Sequence, residues 1–216
     1  ITYISKKDSM QTDDKEQEAE LAPTSSDMHL NFDLDITPEA TMQVLMDTKS
    51  GDYINLYGNG HILANYYNKG KFQMYGTYRV DHGTYKLSIQ DVIRKDFIFK
   101  SDGTVTFGGD PGKAALQMKA VYTVPNVSLD DLSSSSLGLA NTRVDCIMNI
   151  GGEAFSPNVT FDFDLPNANE DEKQMVRSMI STDEERNMQI IYLLGIGRFY
   201  NQNAQFQNGA TQSGTA

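Results

Sequence analysis

The chain has 216 residues, 39% hydrophobic and 22% charged, enough apolar material for one sizeable core or two small ones. Eighteen basic against 29 acidic residues leave a formal net charge of −11. That argues against nucleic acid, which needs clustered Lys and Arg, and against attraction to an anionic membrane surface. It does not exclude an acyl chain held in an apolar groove.

Ile1 to Ser5 reads as the end of a strand begun upstream, in a chain that opens on Ile as a fragment or processed product would. Lys6 to Asp27 is charged and then Pro/Ser/Thr-bearing, an acidic linker or loop with no structure forced on it. From Met28 to Ile36 apolar and polar residues alternate without a break, the period of a strand with one dry and one wet face. The same stripe returns in Phe72, Met74, Gly76, Tyr78 and Val80, and in Tyr85, Leu87 and Ile89 after an expected turn at Asp81-His82-Gly83. It returns again in Leu116, Met118, Ala120 and Tyr122, in Val144, Cys146, Met148 and Ile150, and in Val159, Phe161, Phe163 and Leu165. Turns are expected at Lys49 to Asp52, Asn68 to Gly70, Ser101 to Gly103 and Gly151-Gly152. About ten short strands with Gly-rich turns predict an antiparallel meander, sandwich or open barrel.

The last quarter changes period. Asn169 to Ser181 and Asp183 to about Gly195 read as helices, with Met175, Met179 and Ile180 on one face of the first and Met188, Ile191 and Leu194 on one face of the second. Ser181 or Thr182 is placed to cap the second, and Glu184 and Glu185 stand in its first turn, where the helix dipole favours acid. Residues 201–216 are an Asn/Gln/Gly/Ser/Thr tail, expected to be flexible. No apolar run approaches the ~20 residues of a membrane-spanning helix, and no signal peptide is visible.

Motifs with chemistry are few. Gly108-Gly109-Asp110-Pro111-Gly112-Lys113 resembles a phosphate loop, but Phe107 stands where its first glycine belongs and Ala114 where its Mg²⁺-binding hydroxyl belongs, so it reads as a turn. His29, His61 and His82 have no second ligand at metal spacing and read as surface residues. The single cysteine, Cys146, lies in an alternating run and reads as a buried structural thiol. Asp162 and Asp164 share the wet face of one strand without further residues to make a site of them. No nucleophile elbow or triad is present, no metal site is visible and no cofactor is implied.

Several segments in order resemble a known family. They are Tyr75-Gly76-Thr77-Tyr78-Arg79-Val80 with Gly83-Thr84-Tyr85-Lys86-Leu87, Lys95 to Phe99, Gly103 to Pro111 with Ala114-Ala115-Leu116, Ser156 to Asp162 with Asp164-Leu165-Pro166, and Gln189 through Leu193-Leu194 to Gly197-Arg198-Phe199. Over residues 28–200 the chain resembles the C-terminal domain of TamB, the translocation and assembly module subunit, in a Bacteroidetes-like version. The family continues into more strand-like sequence where this chain has its polar tail.

The resemblance implies a mainly β domain: an open, rolled antiparallel sheet of the β-taco kind, with an apolar concave groove and one or two C-terminal helices. It implies a non-catalytic periplasmic segment of a bridge anchored in the inner membrane, working with an outer-membrane barrel of the BamA/TamA type. It also implies a part in outer-membrane protein assembly and in carrying phospholipid. Alternation and resemblance together nominate a groove lining of Phe72, Met74, Tyr78, Val80, Leu87, Ile89, Phe97, Phe99, Val105, Phe107, Leu116, Met118, Tyr122, Met148, Phe161 and Phe163. The alternative is a module that docks β-strands of outer-membrane client proteins or of the barrel. A third reading, a closed β enzyme or sugar binder, calls for convergent ionisable groups that the sequence lacks.

Overall fold

The structure, a computed structural model, describes residues 26–47, 52–89, 92–133, 138 and 140–201. The expectations for residues 1–5, for 6–25 of the linker, for 49–51 of the turn at Lys49 to Asp52 and for 202–216 of the tail lie outside the described residues. Nine strands make one antiparallel sheet, followed by two helices: β1 (His29–Ile36), β2 (Thr41–Asp47), β3 (Asp52–Tyr67), β4 (Gln73–Ile89), β5 (Ile93–Phe99), β6 (Thr104–Gly109), β7 (Ala115–Val127), β8 (Thr142–Glu153), β9 (Ser156–Asp164), α1 (Glu170–Met179) and α2 (Asp183–Ile196). The expected mainly β, antiparallel and open architecture is the one observed.

Two lanes of the sheet are each shared by a pair of short strands. β1 pairs with the second half of β3 and β2 with its first half, along one edge. β5 pairs with the second half of β4 and β6 with its first half. Across the sheet the order is β1/β2, β3, β4, β5/β6, β7, β8, β9, and among the described residues the two outer lanes do not meet, so the sheet is open. At one end of the strands lie the β3–β4, β6–β7 and β8–β9 connections, hereafter the loop end. The β4–β5 connection and both helices occupy the other, helical end.

The break between β5 and β6 is stitched to its neighbours. The Lys100 N–H donates to the Lys119 carbonyl (3.0 Å) and the Val80 N–H to the Gly103 carbonyl (2.8 Å). At this level β3 pairs Tyr57 with His82 but Gly58 with Val80, which leaves Asp81 as the extra residue of a β-bulge. The expected turn at Asp81-His82-Gly83 is therefore corrected: β4 runs through it. A bulge changes the phase of the alternation, so Tyr78 and Val80 share a face with Gly83, Tyr85 and Leu87. The turn expected at Gly151-Gly152 is also corrected. Pairing persists to Glu153 and Ser156, and Ala154-Phe155 form the tip. Gly58 is required by its neighbours, because a Cβ there would lie 2.0 Å from the Arg79 carbonyl oxygen and 3.0 Å from Cζ of Tyr78, whose ring crosses it.

Both helices begin with reciprocal caps. Asn169 accepts from the Glu172 amide and Thr182 from the Glu185 amide, while each glutamate reaches back to its cap residue. Gly197, with φ +71°, ends α2 in the left-handed region. The faces expected for the helices are corrected. α1 buries Val176 and presents Ile180 just beyond its end, leaving Met179 exposed; α2 buries Gln189, Ile190, Leu193 and Leu194 and exposes Ile191. Apolar residues surround much of α2, so spacing admits more than one stripe, and the neighbouring sheet decides which is dry.

Candidate functional site: the apolar face of the sheet

One face of the sheet is apolar in every lane. The register sets Tyr78 beside Val105, Tyr85 beside Phe97, Phe99 beside Ala120, Ala120 beside Met148 and Met148 beside Phe161. By the same pairing the nominated strand residues share that face, from Met74, Tyr78, Val80, Leu87 and Ile89 on β4 to Phe161 and Phe163 on β9, with Phe72 just before β4.

They do not share one environment. Tyr78, Val80, Phe97, Phe99, Val105, Met118, Met148 and Phe163 are buried in a core that also takes in Val176, Ile190, Leu193 and Leu194 of the helices. Leu87, Ile89, Phe107, Leu116, Tyr122 and Phe161 are half-buried against that core. Met74 is half-buried outside it, and Phe72 is exposed. Rings order the centre: Phe97 lies 5.9 Å from Tyr122 and 6.4 Å from Phe161, edge-on to the latter. The Lys95 ammonium sits 5.1 Å from the Tyr122 ring centre.

The helical end is closed by specific polar contacts. Buried Gln189 grips the chain after α2 twice: its Nε2 donates to the Tyr200 carbonyl (2.9 Å) and its Oε1 accepts from the Tyr200 N–H (2.7 Å). This holds Phe199 edge-on to Phe163, with ring centres 6.1 Å apart. Arg198 forks onto Asp131, donating to both carboxylate oxygens at 2.7 and 3.0 Å. Beside α2 a cleft of about 560 Å³ remains, lined by Ile89, Val159, Phe161, Ile190, Ile191 and Leu194, with Arg186 facing Asp162 at 3.6 Å.

Toward the β1 edge the same face has no second layer among the described residues. Met28, Leu30, Phe32, Leu34, Tyr66 and Phe72 keep 38 to 45% of their surface exposed, around a floor of buried Ile62 and Ala64. β1 sets Phe32 opposite Ala64 and Leu34 opposite Ile62. Sequence reasoning recognised β1 as a half-dry strand but left it out of the lining. Its unbroken alternation was the available signal; that no second layer would cover it was not readable locally.

The other face of β1 and β3 is polar. His61 sits between Asp33 (Nε2 to Oδ1, 3.2 Å) and Asp35 (Nδ1 to Oδ1, 2.8 Å), and the hydrogen bond to Asp35 with the charge of Asp33 raises its pKa. His29 stacks on Tyr67 and His82 on Tyr57. All three histidines are exposed, as expected, and no cluster of metal-binding side chains occurs among the described residues. Cys146 is wholly buried, and burial pushes its thiol up to about 12. At the phosphate-loop look-alike β6 ends at Gly109, and the Asp110 carboxylate accepts the Gly112 N–H (2.9 Å) to cap a 3₁₀ turn at Pro111–Lys113. Among the described residues no helix is long and apolar enough to cross a membrane.

No curated protein and no solved structure matches the chain. The family model of the TamB C-terminal domain matches residues 2–216. The order of strands and terminal helices, the open sheet and this match agree, and the chain belongs to the TamB C-terminal domain family, with a TamB-like role in outer-membrane assembly.

Proposed function

We propose that the domain carries phospholipid acyl chains along the apolar face of its sheet, as one periplasmic segment of an inner-to-outer-membrane bridge, and performs no chemistry of its own. The observation that carries this reading is the uncovered patch of Met28, Leu30, Phe32, Leu34, Tyr66 and Phe72, continuous in register with the buried core stripe. From Met28 to Leu34 the strand advances roughly 20 Å. An acyl chain laid along it gains ~0.8 kcal/mol for each CH₂ removed from water. The contact is uniform and shallow, which suits passage better than storage. Of the nominated lining, Phe72 belongs to this patch and Met74 adjoins it, while Ile89 and Phe161 line the cleft beside α2. Buried residues such as Phe97 and Met148 join a path when α1 and α2 lift.

A second reading has its own support. Along β1 and β2 the outer backbone edge has no strand partner among the described residues, so a strand of a client protein or of a BamA/TamA-type barrel can add there.

Native mass spectrometry of the purified chain, before and after exposure to phospholipid vesicles, separates the two. Bound phospholipid that disappears in a folded Phe32→Asp, Leu34→Asp variant supports the acyl path. A wild-type chain that stays free of lipid after that exposure sinks it and leaves strand docking.

A further inference from the structure

At the loop end three connections converge on a hollow of about 580 Å³, lined by Lys71 and Phe72 before β4, Pro111, Gly112 and Lys113 of the 3₁₀ turn, and Phe155 at the β8–β9 tip. Phe155 is the most exposed large apolar residue described, at 89%. It is not on a loose loop. The Phe155 N–H donates to the Gly112 carbonyl (3.0 Å) and the Ala154 N–H to the Ala114 carbonyl (2.9 Å). Its ring edge lies against Gly112, where a Cβ would come within 2.5 Å of Cδ2. The fold therefore holds an aromatic ring outward from a tip fixed by hydrogen bonds, beside a second exposed ring, Phe72, that belongs to the apolar face.

The charges around these rings are mixed. Exposed Lys71 and Lys113 are matched by exposed Asp110 and Glu153. A third nearby lysine, Lys69, is paired with Asp27. Exposed aromatic rings among balanced charges suit the interface of a zwitterionic bilayer, where rings reach the acyl boundary and lysines meet phosphate. With a net charge of −11, the chain gains no long-range attraction to an anionic surface.

We propose that the loop end is a membrane-contact rim: Phe155 and Phe72 dip into the interface of a zwitterionic phospholipid bilayer, with Lys71 and Lys113 on its phosphates, and bring the β1 patch to the lipid. The rim supplies the entry point for the acyl path proposed above and rests on that reading for its purpose, though not for its binding.

The chain has no tryptophan, so Phe155→Trp installs a single reporter at the tip. With phosphatidylcholine vesicles its emission is expected to shift to the blue and to be quenched by phosphatidylcholine brominated on the acyl chains. Phe155→Asp is expected to lower the vesicle-bound fraction about tenfold. Unchanged indole emission from the Phe155→Trp chain at saturating vesicle concentration, with native circular dichroism, overturns the rim. A parallel Phe32→Trp chain separates the two readings. Quenching at position 32 without quenching at 155 removes the rim and keeps the path; quenching at 155 alone keeps the rim and removes the path.

Discussion

Gln189→Met tests how the helical end of the apolar face is closed. Methionine keeps the length and most of the volume of the side chain but cannot donate to the Tyr200 carbonyl or accept from its amide. Gln189 is 4% exposed, so little water reaches the inner side of this pair. Two part-buried backbone groups lose their partners, at about 1 kcal/mol each, or about 2 kcal/mol together. The loss falls on the docking of Phe199–Tyr200 rather than on the sheet, because the strand ladders are untouched. Local opening should therefore become about 30-fold more frequent at the Tyr200 amide, while amides of β7 and β8 keep their protection. Native-state hydrogen exchange read by NMR gives both numbers in one sample. Equal loss of protection at Tyr200 and in β8 would refute the argument, since it would make the Gln189 clasp part of the global unfolding unit. No loss at either would show that the clasp contributes nothing.

Three further outcomes follow from particular groups. The Tyr78 hydroxyl is buried with no hydrogen-bond partner among the described residues, so Tyr78→Phe should raise stability by about 1 kcal/mol and the melting midpoint by ~2–4 °C; a fall of that size would mean the hydroxyl is paired. The pKa of His61 is raised above 6.5, so its pairing with Asp35 and Asp33 stabilises β1 fully below 6.5 and is lost as pH climbs through the higher folded value. Its NMR titration should show a midpoint above 6.5 that falls toward 6.5 in Asp35→Asn, and an unchanged midpoint would break the assignment. Cys146, held near 12 by burial against 9.0 when free, should resist alkylation at pH 8 until the chain opens. Because the unfolded thiol alone ionises above about pH 9, stability should fall there, and less so in Cys146→Ala.

Strands and helices were legible because period-two and helical spacing are local. Ser181 or Thr182 with Glu184 and Glu185 marked one helix start, which the structure sets at Thr182 with Glu185, and the alternation in β7, β8 and β9 named the dry face correctly. Two expectations failed for a shared reason: Asp81-His82-Gly83 and Gly151-Gly152 have turn composition, but a bulge and a strand end use the same residues. Composition reports that the backbone bends, and only the partner strand decides whether it reverses. The burial of the nominated lining was beyond local reading for another reason. Phe97, Phe99 and Met148 look like Phe32 and Leu34 in their own strands, yet only the first three lie in the buried core that Val176, Ile190, Leu193 and Leu194 of the helices share.

That unequal cover is the physical basis of the functional reading. The apolar stripe runs across seven lanes, but among the described residues the α-helices offer only the 10 residues of α1 and the 14 of α2 to lay over it. A helix of 14 residues is ~21 Å long, while seven lanes at ~4.8 Å span about 29 Å between the outermost strands. α2 packs on β9, β8 and β5 and α1 on the 3₁₀ turn at Leu129–Leu132, so the deficit falls on β1 and the far half of β3. An evenly polar β1 would have ended the stripe cheaply. Instead Leu30, Phe32 and Leu34 extend it to the edge, where 39 to 45% of each residue's surface stays exposed. On the proposed reading an acyl chain is the partner of this strip, since it matches an apolar surface bordered by polar backbone. The Phe32→Asp, Leu34→Asp variant makes that reasoning quantitative. With both side chains already about 40% exposed, the exchange should cost the folded domain much less than a core substitution such as Met148→Asp, while lipid occupancy collapses. Equal destabilisation by the two exchanges would show that β1 is sealed in solution, and the open strip would cease to be a path.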